Sequence, residues 1–216
     1  MFKKLPLLLL PLIANCDMKN VGVLLGVNLS SQTQEVRYDN NNGSTPAIGT
    51  NPYSSKTKEH TLEYKLGYQY YFTRVYFKYS KLDLEDEAQN KFRLDGAVYE
   101  LNVDYIPLLY TNATRAWNIR GIFGAGVGYN VTHLDTNTPY LLPTDVYPDE
   151  GDQVFMEYGY QIGAMVETKY NISLEVAYRY RKGDLQEYTD DKGDAGNKVS
   201  IDLITSELYV GLNYIF

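Results

Sequence analysis

The sequence has one cysteine, two histidines and no apolar run long enough to form a membrane-spanning helix. A single cysteine cannot form a disulfide within one chain. A spanning helix needs about 20 consecutive apolar residues, so the missing run excludes a helical membrane protein. The sequence has 20 basic and 27 acidic residues, so it is acidic overall, and its basic residues do not form a continuous stripe. Nucleic acid is therefore excluded as a partner.

Tyrosine and glycine are abundant instead, at 22 and 17 residues, and much of the chain alternates in polarity with a period of two. The last eleven residues show this best, because Leu208, Val210, Leu212, Tyr214 and Phe216 share one parity. A two-residue period is typical of a β-strand. The segments with this alternation are 21–31, 60–72, 75–80, 97–105, 117–130, 154–167, 172–181 and 206–216. The sequence therefore predicts eight strands.

The apolar parity of these strands is rich in tyrosine and almost free of charge. The interior of an eight-stranded soluble barrel is too small for so many aromatic side chains. An outward apolar face fits better, because lipid then surrounds it and the polar parity lines the interior. We therefore predict an all-β fold, an eight-stranded antiparallel up-and-down transmembrane barrel.

The predicted connections alternate strictly between short and long. The short ones are 73–74, 107–116 and 170–171, and the long polar ones are 32–59, 83–95, 134–152 and 183–198. Bacterial outer-membrane barrels have short periplasmic turns and long extracellular loops. The pattern predicts the same arrangement, with possible extracellular ligands bound at the loops.

The chain ends in a motif in which an aromatic residue and a glycine precede two alternating hydrophobic positions. Its residues are Tyr209, Gly211, Tyr214 and Phe216. With this ending, the chain resembles small eight-stranded outer-membrane β-barrels of the OmpA/OmpX/Opa-like superfamily. The resemblance implies the outer membrane of a Gram-negative bacterium, contact with its lipids and lipopolysaccharide, and recognition of the C-terminal strand by the barrel-assembly machinery.

The N-terminal stretch has the organisation of an export signal. Lys3 and Lys4 precede a short apolar region, and a small-residue pattern ends at Cys16. We interpret residues 1–16 as a signal peptide and 17–216 as the barrel domain. The alternative is a lipoprotein signal in which Cys16 is the acylated residue.

The inward parity of the predicted strands carries charges of both signs. Opposite charges in so narrow an interior are expected to pair, because an unpaired buried charge costs several kcal/mol. We therefore expect a plugged lumen, with a narrow or gated water path as the alternative. The predicted lumen charge network comprises Glu63, Lys65, Lys78, Glu100, Asp104, Arg120, Glu157, Glu167, Glu175, Arg179, Arg181 and Glu207.

Catalytic and metal sites find little support in the sequence. His60 and His133 fall near strand ends, and pairing His133 with Ser30 or Ser80 has no specific spacing. The acidic runs of the long connections lack the spacing of a calcium loop. We therefore expect no enzyme activity, no catalytic residues, no cofactor and no metal. The predicted function is structural or surface-interacting, adhesin-like, with a narrow channel or transporter for ions or small solutes as the alternative.

Overall fold

The computed structural model describes residues 21–41, 54–85, 92–114, 116–136, 151–190 and 197–216. The predicted signal peptide and much of the long connections lie outside these ranges. Within them the secondary structure is entirely β-strand and turn. No helix in this part of the chain is long and apolar enough to cross a membrane.

Eight long strands form one closed antiparallel barrel, which confirms the predicted fold class. Each long strand pairs with the next long strand along the chain, and the last pairs with the first. The pairing of the last strand with the first removes both sheet edges, as expected for a barrel. The strands are β1 Val21–Asn41, β2 Ser54–Tyr70, β3 Thr73–Glu85, β4 Phe92–Tyr105, β5 Leu108–Thr111, β6 Trp117–Thr136, β7 Gly151–Thr168, β8 Ile172–Asp190 and β9 Asn197–Ile215.

Two of the predicted short connections are wrong in detail. The chain turns at Tyr71 and Phe72, not at residues 73–74, and Tyr71 adopts a positive φ of 53°. Arg74 consequently belongs to β3 and points into the barrel. The connection 107–116 contains the short strand β5, which pairs with the first residues of β6. The turn predicted at 170–171 is present, with Asn171 at φ 63°.

The long connections are shorter than predicted, because the strands continue past the apolar segments. In β1, for example, the hydrogen-bonded ladder continues from Ser31 to Asn41 on β9. These extensions are polar, so hydrophobic alternation does not reveal them, whereas backbone hydrogen bonding does not depend on the side chain. We call the end of the barrel with these extensions the loop end, and the opposite one the turn end.

The ladder is interrupted at two places near the loop end. Strands β2 and β3 pair only as far as Glu63 and Ser80, and β7 and β8 only as far as Glu157 and Gly183. All other neighbouring long strands stay paired farther toward the loop end. The barrel wall therefore divides there into two four-stranded sheets, β8-β9-β1-β2 and β3-β4-β6-β7.

The outer surface is an apolar belt bounded by aromatic side chains. Tyr64, Tyr79, Tyr99 and Tyr129 lie directly opposite one another on four adjacent strands and form a row toward the loop end. Tyr214 and Phe216 are in ring contact near the turn end, with centroids 4.7 Å apart. Tyrosine prefers the membrane interface. The belt thus has the construction of a lipid-facing barrel wall.

Candidate functional site

All twelve charged side chains predicted to face the lumen are buried within it, each with at most 5% of its surface exposed. Their alternation with exposed apolar neighbours places them there, since successive side chains of a strand point to opposite faces. They contribute to three groups of ion pairs.

The largest group is a closed ring of six side chains in which the charges alternate. Lys78 Nζ lies 2.6 Å from both Glu63 and Glu100. Arg181 contacts Glu100 at 2.6 Å and Glu207 at 2.9 Å. Arg179 contacts Glu207 at 2.8 Å and closes the ring on Glu63 at 3.1 Å. Each member of the ring therefore has two partners of opposite charge within the ring, and the six formal charges cancel.

Two smaller groups lie nearer the turn end. Arg74 donates to Asp104 at 2.5 Å and to Glu175 at 2.6 Å, and Lys65 also pairs with Glu175. Arg120 pairs with Glu167 at 2.7 Å. Each of these groups contains equal numbers of positive and negative charges.

Strand β8 takes part in the ion pairs that cross the lumen. Arg179 reaches Glu63 on β2, and Arg181 reaches Glu100 on β4. Glu175, also on β8, receives Arg74 from β3. None of these pairs belongs to neighbouring strands. The ion pairs therefore tie opposite walls together and fill the interior.

Buried members of this network that are absent from the predicted charge set include Arg74, Gln161 and Tyr76. Arg74 is absent because it was assigned to a turn. The others, Gln161 and Tyr76, are uncharged. Gln161 Nε2 donates to the Tyr76 hydroxyl at 2.7 Å and to Asp104, and its Oε1 accepts from Arg179 at 3.1 Å. All three occupy alternate strand positions that face the lumen, and the two-residue period of the sequence could have identified them.

Inward-facing glycines make room for these long side chains. A Cβ at Gly124 would overlap the Asp104 carboxylate, and Gln161 atoms would lie 2.9 Å from it. A Cβ at Gly211 would overlap the Asn28 amide and lie 2.8 Å from Glu175. The missing side chains thus allow charged neighbours to lie flat against the adjacent strand.

Apolar side chains occupy the lumen on both sides of the charges. Toward the turn end, Ile106, Ile122, Met165, Ala177 and Tyr209 form one buried cluster, and Leu24, Tyr76 and Ile215 another. The inward apolar side chains toward the loop end, all buried, are Leu82, Leu94, Val98, Phe155 and Leu203. Apolar side chains therefore lie on both sides of the ring, and toward the turn end they are mixed with the two smaller charged groups.

A titratable carboxylate lies at the β2–β3 interruption. Glu59 is half-buried there and accepts a 3.4 Å hydrogen bond from Gln32. Burial, with the nearby Asp83 carboxylate, raises the pKa of Glu59 to about 7. Gln32 also accepts from Arg181 at 3.4 Å, which links this outer carboxylate to the ring.

The C-terminal motif divides between the two faces of β9. Tyr209 is fully buried, with Arg179 4.6 Å from its ring centroid. Tyr214 and Phe216 face outward, and the Phe216 amide donates to the Val23 carbonyl at 2.9 Å. Glu207, on the same strand, pairs with Arg179 and Arg181.

The structure does not assemble the Ser–His combination considered from the sequence. Ser30 and Ser80 are buried in the lumen, whereas His133 is exposed and contacts Asp152 at 3.1 Å. His60 is also exposed. Among the residues with described positions, no three His, Cys, Asp or Glu side chains are grouped to hold a metal ion. Many residues of the acidic runs lie outside the described ranges.

No protein-family model and no curated protein matches the chain. Solved structures of outer-membrane proteins are similar to it. Neisserial surface protein A is 15% identical, with 88% of this chain and 97% of that one covered and a TM-score of 0.47. OprH of Pseudomonas aeruginosa is 20% identical, with 90% of this chain and 99% of that one covered and a TM-score of 0.46. Ail of Yersinia pestis was solved with the heparin analogue sucrose octasulfate. It is 12% identical, with 90% of this chain and 99% of that one covered and a TM-score of 0.40.

Proposed function

We propose that the protein is a structural or surface-interaction barrel of the Gram-negative outer membrane whose lumen does not conduct. The observation that carries this proposal is the closed ring of ion pairs, because its side chains reach across the interior from several strands. Eight strands leave an interior just wide enough for side chains to fill. The packed apolar layers on both sides of the ring support the same conclusion.

Planar-bilayer recording of the purified, refolded protein tests this proposal. We expect no steady conductance, because ion passage requires opening the ring and displacing the side chains packed on both sides of it. A matched variant, Arg179→Ala, removes one side chain that spans the lumen and reports whether a weakened plug conducts. Steady large channels in the unmodified protein contradict the proposal.

A narrow path for ions or small solutes is the second candidate function. It is favoured by the two interruptions of the ladder, β2–β3 and β7–β8, where the wall lacks hydrogen bonds between neighbouring strands. Buried polar groups of the lumen without a protein partner, including those of Gln34 and Asn130, also suit a hydrated path. Small, reproducible conductance in the same recordings supports this candidate over the plugged barrel.

Lipopolysaccharide is the proposed lipid partner at the loop end. Lys58, Lys81 and Arg93 are exposed there, beyond the row of tyrosines, and suit phosphate groups of the outer leaflet. We expect vesicles containing lipopolysaccharide to stabilise the barrel to heat more than phospholipid vesicles, and Lys81→Ala with Arg93→Ala to reduce that gain. Lys169→Ala, at the turn end, is the matched control. If the double variant gains as much heat stability from lipopolysaccharide as the unmodified protein and Lys169→Ala, the result argues against this contact.

Two further partners follow from the same placement. The C-terminal strand is proposed to be recognised by the barrel-assembly machinery through Tyr209, Gly211, Tyr214 and Phe216, and deletion of Phe216 is expected to lower the assembled fraction in cells. Assembly at the unmodified level after that deletion contradicts the assignment.

Strand extensions at the loop end give the connections a rigid base, which suits presentation to an extracellular ligand.

A further inference from the structure

The charges buried in the lumen do not balance. Among the residues with described side chains, seven carboxylates and six cations are buried. The ring holds three of each, the Arg74 group holds two of each, and Arg120 with Glu167 holds one of each. The remaining carboxylate is Glu157, which is 3% exposed.

Glu157 shares its cation with two other carboxylates. Arg181 Nη1 lies 2.8 Å from Glu157 and 2.6 Å from Glu100, while Nη2 of the same guanidinium lies 2.9 Å from Glu207. One positive charge therefore faces three carboxylates, of which Glu100 and Glu207 have a second cation each in Lys78 and Arg179. Among the described residues, Glu157 has no cation that it does not share.

The Glu157 carboxyl group packs against a glycine, and Glu157 borders a small cavity. Gly128, on the neighbouring strand, has no side chain, and a Cβ there would lie 2.7 Å from Glu157 Oε1. Other residues that line this cavity include Glu100, Asn102 and Gln161. Burying an ionised carboxylate without its own counter-charge is costly, and such a group is neutralised by taking up a proton.

Glu157 also lies where protons can reach it from the loop end. It forms the last β7–β8 rung, opposite Gly183, and the strands continue beyond this rung without pairing to each other. The Phe155 ring covers Gly183, because a Cβ on that glycine would lie 3.0 Å from the ring. Bulky solutes are thereby kept out, whereas protons transfer through hydrogen-bonded groups.

We propose that Glu157 is a proton-binding site that exchanges with the medium at the loop end and is occupied at neutral pH. In the protonated state the buried charges cancel, and Arg181 is left to Glu100 and Glu207. Loss of the proton adds a third full charge that competes for Arg181, so the ring loosens on the β8 side. The other charged groups facing this site are Lys78 from β3 and Arg179 from β8; β6 contributes only glycine here.

Carboxyl ¹³C NMR of the full-length protein in lipid nanodiscs tests the assignment. We expect one glutamate carboxyl signal at neutral pH with the chemical shift of a protonated acid, connected to Glu157 by through-bond assignment and absent in Glu157→Gln. Glu59→Gln identifies the signal of Glu59, a half-buried carboxyl group near the loop end. A Glu157 signal that is already a carboxylate at pH 5 overturns the proposal. A carboxylate signal that changes between Na⁺ and K⁺ also overturns it, in favour of a bound metal cation.

Unfolding in vesicles provides a second, independent readout. Glu157→Gln imitates the protonated acid, so its unfolding equilibrium constant should equal that of the unmodified protein in acid. As the pH rises above the ordinary glutamate pKa of about 4.3, the unfolded chain loses this proton while the folded protein keeps it, so the unmodified protein should become less stable than the variant. The ratio of the two constants should change by up to tenfold per pH unit until the folded protein loses the proton as well. Glu207→Gln removes a carboxylate that pairs with Arg179 and Arg181 and should be less stable than the unmodified protein in acid, where Glu157 is neutral. A Glu157→Gln stability curve parallel to that of the unmodified protein at all pH values contradicts the proposal.

Discussion

Replacing Arg179 by Met should lower the free energy of unfolding by about 3–5 kcal/mol, the largest effect expected for one substitution in this barrel. Arg179 is buried between Glu63 and Glu207, at 3.1 and 2.8 Å. Its removal leaves two carboxylates with one cation fewer in a water-poor interior. Guanidinium unfolding of the protein refolded in lipid vesicles measures the change.

Two further variants separate the charge from the volume of the side chain. Adding Glu207→Gln to Arg179→Met restores the charge balance and should recover part of the loss. Lys182→Met removes a partly exposed cation from the outward face of the same strand, where it contacts Asp202 at 2.7 Å. Surface pairs contribute about 0–1 kcal/mol, so this change should be small. Equal losses for Arg179→Met and Lys182→Met contradict a stabilising role for the ring.

Arg in place of Leu212 should cost roughly 2–4 kcal/mol in lipid, because the side chain is more than half exposed in the apolar belt. The cost arises from placing a charge against hydrocarbon and falls to about 0–1 kcal/mol at the interfaces. Ser206→Arg is the matched control, since Ser206 is on the same face of β9 and lies opposite Tyr180 near the loop-end edge of the belt.

Folding experiments in phospholipid vesicles and in detergent distinguish the origin of this loss. The Leu212→Arg penalty should be large in vesicles and small in detergent micelles, which adapt to a charged side chain. A Leu212→Arg variant as stable as Ser206→Arg in vesicles is incompatible with a lipid-facing position for Leu212.

Alternation along the chain was sufficient to predict the strands, their faces and the closed barrel. Each apolar segment fixes one wall of the belt, and the alternate residues must then face the lumen. The polar strand extensions escaped prediction, because backbone hydrogen bonds continue them where side-chain polarity no longer alternates. The turn at Tyr71 was misplaced by two residues for a related reason. Phe72 continues the apolar parity of β2, although the chain has already left the strand there.

The sequence by itself determined which side chains are buried together in the lumen, because the two-residue period assigns every strand residue to one of two faces. Only the tertiary structure decided which of them pair. Strand register places Arg179 directly opposite Glu207, and closure of the barrel brings it to Glu63 on a strand that is distant in sequence. The pattern of charges along one strand does not show which side chains of other strands come within pairing distance. Likewise, Glu157 is recognised as the buried carboxylate in excess of the buried cations only when the partners of the other charges are known.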